Sequence, residues 1–327
     1  MASLLSLPRE IRDEILQLVL QYKRTPPAGR EHGAERVPME DVETACWRLK
    51  HWVLYEPNTM LPTATPLLLV NRQLHSEVQD AVARLLAGEG KRCKMDLMFL
   101  DETELWVTPL EIPSNASVLD QVDVTIRIVG VVSEENIPIG RSIWDWGRDR
   151  DPACIHPFYY ALERFLRAGP TGRPGTEGTI VDRHIVVKHL VLNFTTTTPD
   201  DHHMLAPLNE LGRCKAARTR PVRAVYAPYR SKLMRPEWLV FPLFSYLKRI
   251  TSGRMDDVKY GRLLMERVGV ISVQVFGRPY KKLDVGKRLD EMEFEHDPSL
   301  PDYEEAGAFY LAWRKEVFAA RAAAGLA

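Results

Sequence analysis

Residues 184–194, HIVVKHLVLNF, form an almost unbroken apolar run. A run of this length, bounded by polar segments, fits a central strand that is covered on both faces. A chain holding such a strand must build a sheet around it and a layer to cover it. VDVTIRIV (122–129) has a different character. Val122, Val124, Ile126 and Ile128 alternate with Asp123, Thr125 and Arg127, the period-two pattern of a strand with one buried face. KMDLMFL (94–100) and VGVISVQVF (268–276) read as further strands. ELWVTPLEI (104–112) reads as another, in which Pro109 demands an edge or a break.

Helical patterns surround these strands. Residues 156–169, 236–250 and 255–268 read as helices, and 303–322 as a closing helix with Phe309, Trp313 and Val317 on one face. Three more lie upstream. The first follows Pro8, which suits a first helical position, with Glu10 in the first turn. The second is expected from Met39 to about Tyr55, with Val42, Cys46, Leu49 and Val53 on one face. The third runs from about Pro66 to Ala87, with Leu67, Val70, Leu74, Val78, Val82 and Leu85 at helical spacing and Gly88 and Gly90 beyond it. Residues 23–38, KRTPPAGREHGAERVP, read as a flexible loop. Three helices followed by strands mixed with helices predict an α+β fold. The expected division is a helical region at 1–90, interrupted by an insertion at about 23–65, and an α+β region at 91–327.

Lys plus Arg equals Asp plus Glu, 44 each, so net charge gives no argument for nucleic acid or a membrane surface. The four cysteines (Cys46, Cys93, Cys154 and Cys214) form no C-x-x-C, which leaves out the usual zinc and dithiol spacings and points to reduced thiols. The apolar N-terminal stretch is broken by Pro8 and charged residues, unlike a signal peptide, and no apolar run approaches the roughly 20 residues of a membrane span. A cytoplasmic or nuclear protein without membrane contact is expected.

Few residues suggest chemistry. GPTGRPGTEG (169–178) lacks the Lys-Ser/Thr pair of a phosphate loop and reads as a connector. Asp200, Asp201, His202 and His203 are adjacent residues in a loop-like setting, and a metal site there would need a distant third ligand. Asp101, Glu102 and Glu104 read as a charged turn between strands. His75 lies off the centre of its helix's apolar stripe. Asn115-Ala-Ser117 and Asn193-Phe-Thr195 match a glycosylation sequon that is idle in an intracellular chain. No catalytic constellation, metal site or cofactor is expected. The strongest charge feature is GRCKAARTRPVRAVYAPYRSKLMR, basic throughout, with Tyr226 and Tyr229 interleaved. Arg218, Arg220, Arg223 and Arg230 would contact nucleic acid or an acidic partner. The acidic run at 290–305 offers an internal counterpart.

The most informative stretch is SLPREIRDEILQLVL. Ile11, Ile15, Leu18 and Val19 form one apolar stripe, and an isolated helix of this length does not hold, so the stripe must meet something. With LLLVNRQLHSEV it resembles a known pair. Leu7, Pro8, Glu10, Ile11 and Ile15 fit the opening helix of an F-box. Leu68, Leu69, Val70, Arg72, Gln73, Leu74 and Glu77 fit the later helix found in fungal F-box-like proteins, with Asn71 where Cys is common. The strand region from KMDLMFL to VDVTIRIVG is similar to the downstream part of such proteins. The resemblance implies an interaction protein, not an enzyme. Leu7, Pro8, Ile11 and Ile15 would dock on a Skp1-type adaptor of a cullin ubiquitin ligase, and the remainder would bind a protein substrate. One departure is plain. An F-box joins its helices through a short connection, whereas residues 23–66 intervene here. The insertion either leaves the stripe free for an adaptor or covers it as internal core.

Overall fold

A computed structural model describes residues 4–20, 23–32, 36–38, 52–56, 67–88, 91–101, 103–112, 116–130, 154–170, 181–196, 236–252, 255–293 and 303–326. An eight-stranded mixed sheet forms the frame: β1 (Val37–Pro38), β2 (Val53–Tyr55), β3 (Arg92–Leu100), β4 (Glu104–Glu111), β5 (Val118–Val129), β6 (Val186–Thr196), β7 (Val268–Val275) and β8 (Arg278–Asp284). Its order is β1-β2-β4-β3-β5-β6-β7-β8. β3, β5, β6 and β7 run parallel, and β4 and β8 flank that block in antiparallel sense. The helices are α1 (Arg9–Leu20), α2 (Arg72–Gly88), α3 (Ile155–Ala168), α4 (Pro236–Ile250), α5 (Met255–Arg267), α6 (Val285–Asp290) and α7 (Tyr303–Ala323). The α+β class is as the patterning predicts.

Chain direction explains the layering. From β5 the chain passes through α3 to β6, then through α4 and α5 to β7, always one strand further across the sheet. Right-handed crossovers that all step the same way place every connecting helix on the same face. One large core lies between that face and α3 to α7. Val122, Val124, Ile126 and Ile128 of β5, Leu190, Leu192 and Phe194 of β6, and Ile271 and Val273 of β7 are buried in it. The apolar face of VDVTIRIV is buried as read, but its other face is not open throughout, since Arg127 is buried as well. Gly261 sits where α5 crosses α4, and a Cβ there would clash with the Ile250 carbonyl oxygen.

Several expectations need correction. Of the helix expected at Met39–Tyr55, residues 39–51 lie outside the described residues. Val53–Tyr55 is instead a strand, with Val53 and Tyr55 buried, parallel to β4. Two β-propensity residues on one face, next to a sheet that lacks a neighbour there, outweigh a weak helical period. The third helix is broken early. Residues 69–70 form a turn with Val70 exposed, and α2 begins at Arg72, its end capped by the Asn71 side chain, which accepts from the Leu74 N–H at 2.9 Å. In α7 the buried face is Tyr310, Trp313 and Val317, while Phe309 is exposed. The Tyr310 hydroxyl donates to the Met292 carbonyl, which selects that face. β8 and α6, which have no strong periodicity, went unpredicted. Pro109 behaves as expected. β2 pairs only with Leu105–Val107, so Pro109 lies beyond it on an open margin, and the β3–β4 register shifts opposite.

The largest correction concerns residues 23–38. Among the described residues this segment is a strap across the face of the sheet opposite the large core. The Arg24 N–H donates to the Leu110 carbonyl, and the Arg24 guanidinium pairs with Glu56 at 2.7 Å. Arg30 pairs with Asp101 and Glu104. Arg36 is buried. It reaches Glu56, the Val107 carbonyl and the Thr108 hydroxyl, with its guanidinium carbon 4.5 Å from the Trp106 ring centre. Beneath the strap, Arg127 makes a two-pronged buried bond to Asp96, at 2.6 and 2.7 Å, and donates to the Pro27 carbonyl at 2.8 Å. Met98, Leu100 and Trp106 form a small second core on this face. Local composition reads as a loop, whereas arginines spaced along it fix it by long-range pairing.

Candidate functional site

α1 and α2 stand apart from the large core. Their shared seam holds the buried residues Leu16, Val78 and Ala81, with Leu20, Leu67, Leu68 and Val82 packed against it. The helix begins one residue after Pro8, whose carbonyl accepts the Arg12 N–H as the first turn closes. Arg12, Leu16 and Leu20 fall on one line at spacings of four, and this is the line that meets α2.

At the centre is an ion pair that the apolar stripe does not reveal. Arg12 and Glu77 are both buried. Arg12 Nε donates to Glu77 Oε2 at 2.9 Å and Nη2 donates to Oε1 at 2.5 Å. Arg12 Nη1 donates to the Leu7 carbonyl, which ties the preceding turn (Leu4–Ser6) to the pair, and Gln73 donates to Glu77 at 3.1 Å. The Arg12 bond holds the Glu77 carboxyl down at about 2, well below the usual carboxylate range, and raises the guanidinium in return. Outside the seam, Arg9 pairs with Asp80 and Arg84 with Asp13 in exposed contacts of small energetic weight. The two halves of the resemblance, LPREIR and NRQLHSE, thus meet through one arginine and one glutamate. A charged residue recurring in phase with Leu16 and Leu20 was the available signal.

The predicted docking residues fall as follows. Pro8 is exposed, Leu7 and Ile15 are half-buried, and Ile11 is 45% exposed. Leu18 and Val19 extend the same stripe at 67% and 36% exposed. Among the described residues the stripe therefore faces away from the α1–α2 seam and is not part of its core. The strap that follows α1 runs onto the sheet instead of over it. Leu5 is also exposed, in the turn before α1.

Among the described residues the remaining candidates do not assemble into a site. Asp101 and Glu104 lie at the β3–β4 turn and share Arg30, while Glu102 lies outside the described residues. His75 is exposed, and its Nδ1 is 2.9 Å from the Leu68 carbonyl oxygen. Asn193 accepts from the Gly277 N–H and fixes the turn after β7, and Asn115 lies outside the described residues. Cys93 and Cys154 are buried and carry no disulfide, and burial pushes the Cys93 thiol up. Asp200–His203, most of the 169–178 segment, and Arg218, Arg220, Arg223 and Arg230 lie outside the described residues. Among the described residues no group of His, Cys, Asp or Glu is placed to hold a metal ion, and no helix is long and apolar enough to cross a membrane. Comparison with protein-family models, curated proteins and solved structures gives no match.

Proposed function

We propose that this chain is an F-box-like interaction protein that docks through α1 on a Skp1-type adaptor of a cullin ubiquitin ligase and presents a protein substrate from its sheet region. The observation that supports this reading is the exposed stripe of α1. Ile11, Leu18 and Val19 project from a helix whose opposite flank is already fixed on α2. Their exposed surface equals about one and a half whole side chains, worth roughly 3–4 kcal/mol if covered. Rigid-body association costs at least that much. The stripe then acts as an anchor, and Leu5, Leu7, Pro8 and Ile15 must contribute for a stable complex to form. The buried Arg12–Glu77 pair holds α1 in the orientation that presents it.

The test is co-purification of the full chain with a Skp1-type adaptor, for the wild type and for Ile11→Asp. The wild type retains the adaptor and Ile11→Asp loses it with its melting curve unchanged. Absence of adaptor from the wild-type preparation removes the ligase reading.

A further inference from the structure

The two edges of the sheet differ. At one edge β1 has two residues, ends in Pro38 and adjoins the arginine strap. At the other, β8 is seven residues long and exposed at every position except Leu283. An edge strand leaves half of its backbone donors and acceptors without a ladder partner. Along β8 stand Arg278, Lys281 and Lys282, none of which makes an ion pair among the described residues. Asp284, the acid in the strand, is occupied as the cap of α6, accepting the Lys287 N–H at 3.0 Å.

Register places the two lysines on opposite sides. Lys281 lies opposite Val273, on the helix-covered face, and Lys282 opposite Ser272, on the other. The Lys281 ammonium lies 5.7 Å from the ring centre of Phe244 on α4 and 5.6 Å from that of Tyr280. Phe241, on the same flank of α4 as Phe244, is 50% exposed, and Tyr280 is 39% exposed. The edge therefore offers backbone pairing, positive charge on both faces and an aromatic shelf on one.

We propose that β8 receives an acidic, extended peptide segment of a partner protein as a ninth strand. Pairing is confined to Lys281–Asp284, because Pro279 has no N–H and Tyr280 is the extra residue of the bulge. Acidic side chains at neighbouring positions of the guest meet Lys281 and Lys282 on the two faces, and an apolar side chain two positions from the acid facing Lys281 covers Phe244. Lysines on an edge normally keep strands off it. Here they repel a second copy of β8, which would set like charges against each other, and they admit an acidic strand. Main-chain pairing supplies affinity and the alternating side chains supply selection. This inference does not depend on the α1 reading, since the two surfaces lie on different elements.

The probe is a fluorescein-labelled peptide of valines around a central Glu-Glu pair, which sets one carboxylate on each face of an extended strand, titrated with the full chain and followed by anisotropy. Three comparisons accompany it: the same peptide with the valines beside that pair replaced by proline, its Lys/Val counterpart, and a single-stranded oligonucleotide of matched charge. Binding of the Glu/Val peptide is expected, with at least about tenfold loss for Lys281→Glu/Lys282→Glu and transfer of that variant's preference to the Lys/Val peptide. Lys281→Gln/Lys282→Gln gives an intermediate loss. Failure of the Glu/Val peptide to bind overturns the proposal. So does equal binding of the proline peptide, which would reduce the site to charge alone, or tighter binding of the oligonucleotide, which would make the edge a nucleic-acid surface.

Discussion

The helix-covered face of the sheet and the α1–α2 pair solve the same problem on different scales. Under α3 to α7, side chains from seven strands and five helices share one continuous core. Between α1 and α2, the described core is Leu16, Val78 and Ala81, stitched by one buried ion pair. A large core is redundant, since losing one contact leaves dozens. A three-residue seam is not, and its stability rests on a few identifiable groups. The difference teaches where function can sit. The sheet region buries most of its apolar residues in one core, whereas α1 buries Leu16 and leaves Ile11, Leu18 and Val19 exposed.

The comparison breaks first in the sheet. Arg127→Ala leaves Asp96 buried without its partner and releases the Pro27 carbonyl of the strap. A loss of roughly 3–5 kcal/mol in global stability is expected, read as a lowered midpoint in denaturant. A loss below about 1 kcal/mol would mean that the strap is not fastened there. Next is Leu16→Ala in the seam, expected to cost about 2–4 kcal/mol. The effect is local. Amide exchange should accelerate in α1 and α2 while β5 and β6 keep their protection, and uniform acceleration would show that the two regions form one cooperative unit.

Acid sharpens the contrast further. The Glu77 carboxyl, at about 2 in the folded chain, titrates below its unfolded value near 4.3. Its contribution is therefore complete at neutral pH and fades as pH falls from about 4.3 toward 2. Over that window α1–α2 protection should decline, and Glu77→Gln should flatten the decline. The smallest effect is in the large core. A cavity of about 30 Å³ lies beneath α3, lined by Val122, Val124, Phe158, Ala161, Phe165 and Leu190 among others. Val122→Ile adds one methyl group toward it and should raise stability by about 0.5–1 kcal/mol. A decrease would mean that the packing there is already tight.

What could be read in advance follows from where each signal lives. HIVVKHLVLNF and VDVTIRIV announced β6 and β5 because burial imprints its period on neighbouring residues. α2 was legible for the same reason through Leu74 and Val78, whereas α1 was legible as a helix from a stripe that lies largely exposed. Arg12 and Glu77 were not, because sixty-odd residues separate two charges that meet only after folding. The strap went unread for a similar cause. KRTPPAGREHGAERVP has loop composition, and its order comes from Glu56, Glu104, Trp106 and Thr108, all distant in sequence. β8 shows no alternation because only Leu283 on it is buried, so an edge strand carries almost no burial pattern. Of the candidate site, the stripe was visible but its orientation was not. Orientation depended on the Arg12, Leu16 and Leu20 line winning the contact with α2.

The central claim is that the outer stripe of α1 is a docking surface. The most direct measurement is a calorimetric titration of purified Skp1-type adaptor into the full chain, wild type against Leu18→Asp. Leu18 is 67% exposed and is not one of the residues that build the seam core, so its replacement is expected to leave folding intact. Saturable binding to the wild type, weakened by at least about tenfold in Leu18→Asp with an unchanged melting curve, is the predicted result. Equal binding by both proteins, or none by the wild type, would contradict it.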